Sequence, residues 1–297
     1  MHCPAFCFKT LRITEKRKSM AEYICPVCGE KLIREQNSYA CLNRHNFDVA
    51  KEGYVNLASC KKGVSALSGD SKQMCLDRRD FLEQGFYEPL AKKLSEIAYN
   101  SCRDKNDAFV LDAGCGEGYY LRSVRNYMCR NNVTCTYAGI DLAKEGIKLA
   151  AKREKTAENC KISFCVAGIF DLPFADGTAD VIISVFAPVA DAEFYRVLKN
   201  GGILVVACPA EKHLYGLKQS VYETARENTE KIPDYDGFNL VHTERLTYEI
   251  DVKKPYISKL FGMTPYYWKS SEKTQNAVNE LEELHTPCDF LIKVYEK

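Results

Sequence analysis

The sequence predicts an α/β protein: a mostly parallel sheet with helices on both faces, preceded by a small domain carrying Cys and His. Three observations predict it. From residue 109 apolar β-type runs alternate with helix-period segments. The first of those runs opens through a Gly-rich turn into a helix, and four metal-type side chains cluster between residues 25 and 45.

Composition agrees with a globular chain. Of 297 residues 46% are hydrophobic and 27% charged, which excludes collagen-like, low-complexity and wholly disordered classes. Lys plus Arg is 41 against 40 for Asp plus Glu, so no bulk field marks a general nucleic-acid binder, and any such site is a local patch. The 15 cysteines are spread through apolar segments as well as the N-terminus, unlike a secreted disulfide framework, so a cytoplasmic protein with reduced thiols is expected. No window approaches the ~20 apolar residues of a membrane helix, and the first 20 residues lack the apolar core of a secretory signal.

Residues 1–19 read as a disordered extension, with Met20 the expected natural start because the patterned sequence begins directly after it. Residues 20–60 form the first domain. Its signature is Cys25-x2-Cys28-x12-Cys41-x3-His45: a tight Cys-Pro-Val-Cys-Gly turn presents two sulfurs to one ion, and the second pair completes a tetrahedron suited to structural Zn2+. So short a segment lacks the apolar core to fold alone, and a metal would supply that stability. Cys3-x3-Cys7 is a weaker competing pair within the extension.

Residues 61–100 read as a basic connector running into a helix, with Phe81, Leu82, Phe86, Leu90, Leu94 and Ile97 at three- and four-residue spacing over 80–99. Residues 101–297 form the main domain. Its expected strands are 109–111, 134–140, 161–166, 180–186 and 202–208, and its helices 118–130, 143–153 and 192–198. Beyond them the pattern predicts a helix over 213–228, β structure over 240–252, a helix over 272–284 and a last strand over 290–295, giving the sheet an antiparallel edge.

The turn Asp112-Ala-Gly114-Cys-Gly116-Glu-Gly118-Tyr119 has Tyr119 where a dinucleotide fingerprint wants Gly. A G-x-G-x-G turn after an acidic strand residue instead suits S-adenosylmethionine, whose amino-acid end offers an ammonium to Asp112 and a carboxylate to backbone N–H groups. Asp141, ending the second strand, is placed to accept from ribose hydroxyls. Asp171, after the third, is a candidate for the adenine amino group, and a helix cap or loop carboxylate is an equal reading of it. Gly201-Gly202 reads as a structural turn.

With these motifs in view the chain resembles the RlmA family of 23S rRNA (guanine-N1)-methyltransferases. The residues that carry the resemblance are Cys25-Pro-Val-Cys28, Tyr39-Ala-Cys41, His45-Asn-Phe-Asp48, Ala50 to Leu57, Gly69-Asp-Ser71, Arg78 to Gly85, Val110 to Tyr120, Ile140-Asp141 and Phe186-Ala-Pro188. The resemblance implies a class I, Rossmann-like methyltransferase that uses S-adenosylmethionine, carries a zinc domain, and acts as a homodimer on a 23S rRNA hairpin loop. It also implies cofactor contacts at Tyr87, Glu117, Gly118 and His213. From the residues alone, Tyr87 reads as helix packing and His213 as a polar helix start. Phe186 stands where relatives carry tyrosine, so a hydroxyl role there is lost.

Guanine N1 carries a proton at neutral pH, so a base must accept it. Asp70, Asp80, Asp191 and His213 are candidates that the sequence does not rank. Candidate RNA contacts are Lys31, Arg34 and Arg44 in the zinc domain and Lys61, Lys62, Lys72, Arg78 and Arg79 in the connector; residues 31–79 hold nine Lys/Arg against five Asp/Glu. A solvated polar face is the plainer reading of that surplus. Two other functions stay open: a class I methyltransferase for a small molecule or protein, with the zinc domain as lid or dimerisation element, and a zinc-dependent RNA-binding protein with a silent Rossmann scaffold.

Overall fold

The computed structural model describes residues 20–58, 70–155, 160–230 and 233–297. Cys3, Cys7, Lys61 and Lys62 fall outside the described residues. The N-terminal module is a small antiparallel sheet of β1 (Ile33–Arg34), β2 (Ser38–Ala40) and β3 (Asn46–Asp48), followed by β4 (Val55–Asn56). Helices α1 (Lys72–Leu82) and α2 (Glu88–Cys102) lead into β5 (Ala108–Ala113), α3 (Tyr119–Arg130), β6 (Cys135–Asp141), α4 (Lys144–Glu154), β7 (Ile162–Val166), β8 (Ala179–Val185), α5 (Asp191–Val197) and β9 (Leu198–Pro209). The chain closes with α6 (Tyr215–Val221), β10 (Asn239–Lys253), α7 (Tyr256–Gly262), α8 (Pro265–Trp268), α9 (Glu272–Asn279) and β11 (Glu283–Glu296).

The eight-stranded sheet runs β10-β11-β9-β8-β5-β6-β7-β4. All pairs from β9 to β4 are parallel, and β11 and β10 add the expected antiparallel edge. Burial on both faces explains why the strands read as continuous apolar runs. Val110, Val181 and Val205 face a core built with α2, α3 and α4, while Leu111, Ile182 and Leu204 face the opposite one.

That opposite core includes the zinc module. Residues 167–178, between β7 and β8, carry no helix, and the module covers the sheet there. Tyr23 packs 5.4 Å from Phe174, whose ring meets Phe109 at 5.3 Å, and the Ile24 N–H donates to the Pro173 carbonyl at 2.9 Å. β4 then joins the main sheet, with Val55 beside Cys165 and Asn56 beside Val166.

Three expected boundaries move. The helix expected over 80–99 is two helices, because Gly85 adopts φ +82° between them and Pro89 sits in the first turn of the second. The helix expected over 213–228 shrinks to α6, whose polar continuation Glu223-Thr-Ala-Arg-Glu has no apolar face to bury. The helix over 272–284 stops at Asn279, and Glu283 starts β11, which pairs with β10 from Lys253↔Glu283 to Asn239↔Glu296. Local helix propensity loses there to a long ladder of main-chain hydrogen bonds.

Candidate active site and zinc centre

The four predicted metal ligands converge. Cys25 Sγ and Cys41 Sγ each lie 3.5 Å from His45 Nδ1, and Cys28 Sγ lies 3.7 Å from Cys41 Sγ. With Zn–S of about 2.3 Å and Zn–N of about 2.0 Å, the edges of a tetrahedral site are roughly 3.5–3.8 Å. The donor set therefore fits Zn2+, and with four protein ligands the shell is closed, which makes the metal structural.

At the carboxyl ends of the parallel strands lies a cavity of about 850 Å3. Its floor is the turn between β5 and α3. Gly114 has φ +88°, and a Cβ there would sit 2.6 Å from Ala187 Cβ; Gly118, which caps α3 with φ +80°, would drive a Cβ to 2.9 Å from Phe164. Only glycine allows both the backbone conformation and the close approach. Asp141 Oδ2 accepts from the Gly116 N–H at 2.8 Å and Oδ1 from the Ala143 N–H at 2.7 Å, which fixes the carboxylate in the cavity wall with a further lone pair on each oxygen. That arrangement suits ribose hydroxyls.

Glu117 also lines the cavity, almost wholly buried, with Arg122 and Arg153 at 3.5 and 3.6 Å from Oε2. Burial pushes its carboxyl above the usual range, and Arg122 offsets part of that shift. Asp112 sits beneath the turn instead of lining the cavity. Its pKa is pushed up to about 8, first by burial and then by Asp141 and Glu117; the Leu121 N–H in the first turn of α3 donates to it, and Oδ2 has no hydrogen-bond partner.

The other wall comes from β8, β9 and the residues after them. Phe186, with φ +55°, stacks on His213 at 6.1 Å between centroids and 24° between planes. His213 is buried beside α6, and its Nδ1 accepts from the Asp289 N–H at 3.3 Å. Nδ1 is thus unprotonated, so Nε2 carries the proton and faces Tyr87 Oη at 3.3 Å. Burial lowers the imidazole pKa to about 3, and burial pushes the Tyr87 phenol well up. Neutral imidazole donates to Tyr87, whose own O–H remains available as a donor. Asp289 is held by Arg245 at 2.8 and 2.6 Å and by Thr247 at 2.8 Å.

Tyr87, Gly114, Gly116, Glu117, Asp141 and His213 therefore line one cavity. Asp171 does not line it; its neighbours Ile169 and Phe170 do, so the side chains at that end are apolar. Gly118 lies outside the lining and acts through the turn. Of the expected RNA contacts, Arg78 turns into the cavity, pairs with Asp70 and lies near Gly116. Arg79 pairs with Asp80 at 2.8 Å, and Asp80 also faces Lys259 of α7 at 3.5 Å. Lys31, Arg34, Arg44 and Lys72 are exposed; Lys31 pairs with Glu22, and Arg34 lies over the Tyr39 ring. Of the four base candidates, Asp70 and His213 line the cavity, and Asp80 and Asp191 do not.

Sequence reasoning missed the roof. Met263, Thr264, Pro265, Tyr266 and Trp268, from the excursion between β10 and β11, close over the cavity against Met74 of α1. The only local signal was the aromatic run Tyr266-Tyr267-Trp268.

Comparison with known proteins agrees with this geometry. The model of the RlmA N-terminal zinc ribbon matches residues 23–63, and that of a methyltransferase domain matches residues 104–276. A 23S rRNA (guanine(748)-N1)-methyltransferase of Streptomyces fradiae is 28% identical over 91% of this chain and 94% of its own. Provisionally named 23S rRNA (guanine-N1)-methyltransferases of Bacillus subtilis (strain 168) and Micromonospora griseorubida are 29% and 32% identical; the first match covers 91% of this chain and 95% of the relative, the second 65% and 67%. Among the described residues no helix is long and apolar enough to cross a membrane. This chain joins a zinc ribbon to a methyltransferase domain with an S-adenosylmethionine-type Gly turn, and it belongs to the RlmA family of 23S rRNA (guanine-N1)-methyltransferases.

Proposed function

We propose that the protein transfers a methyl group from S-adenosylmethionine to N1 of a guanine in a hairpin loop of 23S rRNA, as a cytoplasmic homodimer. One observation carries the reading: a single cavity joins polar cofactor-type residues over β5 and β6 to aromatic rings over β8 and in the roof. When bound, the cofactor supplies an electrophilic methyl group on a sulfonium. The protein's task is then to align donor and acceptor and exclude water.

Asp141 holds the ribose, the Gly114–Gly118 turn offers backbone N–H groups, and the Tyr87 hydroxyl donates to an oxygen of the amino-acid end. Ile169 and Phe170 pack the adenine. The guanine N1 proton needs an acceptor, and His213 is a poor one, since Nδ1 is taken by Asp289 and Nε2 already carries a proton. Asp70 is the candidate base that lines the cavity with an ionised partner, Arg78, to hold its carboxylate. Lys61 and Lys62, with Arg79 and the exposed cations of the zinc ribbon, are the proposed phosphate contacts.

The test is incubation of the full chain with unmodified large-subunit rRNA and methyl-labelled S-adenosylmethionine, then nuclease digestion and mass spectrometry. Label in 1-methylguanosine at one hairpin position is the expected result. Cofactor binding with no labelled nucleoside would move the acceptor to a small molecule or protein.

A further inference from the structure

Three of the exposed large apolar side chains, Phe170, Phe186 and Trp268, line this cavity. Trp268 is the chain's single tryptophan and is 62% exposed. Its indole is nonetheless fixed: Nε1–H donates to Met74 Sδ at 3.2 Å, and its ring meets Tyr267 edge-on at 5.2 Å, with Tyr267 in turn on Phe261 at 5.4 Å. A large ring pinned at its edges and left open to a cavity lacks a partner for its face. Phe186, directly after β8, repeats the pattern: one face lies on His213, and the ring is still 44% exposed.

We infer that Trp268, with Phe186, is the stacking receptor that takes the target guanine out of its RNA stack and presents it to the methyl group. The inference rests on the rRNA reading above and adds the residues that select a planar base. A flat, aromatic, partly polar ligand is what two exposed rings in an otherwise polar-floored cavity accept, and an unstacked loop base is such a ligand. Phe170 lies on the β7 side, beside Ile169 and Leu142, where the cofactor's own base belongs.

A single tryptophan gives the test its readout. The wild-type protein, saturated with S-adenosylhomocysteine to prevent turnover, is titrated with a guanine-loop rRNA hairpin while emission is excited at a wavelength selective for indole. Quenching by this hairpin, and none by the same hairpin with abasic loop positions, is the expected result. Trp268→Ala raises KM for the hairpin about 10-fold, the scale of one base stack, leaves the Kd for S-adenosylhomocysteine within about 2-fold, and Trp268→Phe recovers most of the loss. Equal quenching by the abasic hairpin would assign the signal to closure of the roof and overturn the inference. So would unchanged emission from a hairpin that binds and is methylated. If no rRNA is bound or methylated at all, the functional reading fails first and takes this one with it.

Discussion

Tyr87 and His213, 126 residues apart in sequence, meet hydroxyl to Nε2 at 3.3 Å, and the direction of that hydrogen bond is set by a third residue that touches neither the hydroxyl nor the cavity. The Asp289 N–H occupies His213 Nδ1, so the imidazole can only donate to Tyr87. Tyr87→Phe removes one neutral hydrogen-bond donor, and a loss of about 3- to 10-fold in S-adenosylmethionine affinity is expected by calorimetry. An unchanged Kd would show that Tyr87 only packs.

The same pair fixes a pH dependence. His213 has an ordinary pKa of 6.5 when unfolded and about 3 when folded, so the unfolded chain binds more protons between these values. Stability from this group is present above pH 6.5 and is lost as pH falls towards 3. His213→Gln is expected to flatten the Tm-against-pH curve between pH 4 and 6. Parallel curves for variant and wild type would contradict the buried neutral imidazole.

Asp112 works in the opposite sense. Its folded pKa of about 8 lies above the usual carboxylate value of 3.8, so the folded chain binds more protons between these limits and stability falls as pH rises through them. Asp112→Asn removes this cost. Tm is expected to rise by about 2–4 °C for each ~1 kcal/mol recovered, with a larger gain at pH 8 than at pH 5; equal gains at both would point to packing instead.

Gly114→Ala places a methyl group 2.6 Å from Ala187 Cβ at a φ of +88°. Both penalties fall on the cavity floor. Loss of S-adenosylmethionine binding by at least 10-fold is expected, alongside a destabilisation of about 1–3 kcal/mol, and normal cofactor binding by the variant would reject the assigned role of the turn.

Removal of the metal probes the other end of the chain. One Zn2+ per chain is expected by native mass spectrometry, and Cys41→Ser is expected to abolish it. Because Tyr23, Leu32 and Tyr39 share a core with Phe109 and Phe174, chelation is expected to lower the Tm of the main transition as well as melt the ribbon. Two independent transitions, the larger unmoved by chelator, would show that the shared core contributes little.

The zinc ligands, the glycine turn and the parallel strands were legible because each is a local pattern: paired spacing, obligatory φ > 0, and apolar runs buried on two faces. Tyr87 and His213 were reached only through family resemblance, since nothing local marks residues that meet across 126 positions. The roof was missed because Pro255 and Pro265 break the periodicity of an aromatic-rich stretch. β4, with two residues, is too short for any alternation to register. Arg78 looked like a surface cation, and its place in the cavity depends on Asp70 facing it across one helix start.

The pairing of Val55 and Asn56 with β7 denies the zinc ribbon the freedom of a tethered arm. On the rRNA reading, a ribbon cation that contacts the RNA stands at a set distance from the glycine turn, as a gauge stands from a cutting edge. On the rRNA reading, the choice of guanine then becomes a matter of length: the nucleotide modified is the one whose spacing from the gripped stem spans that gap.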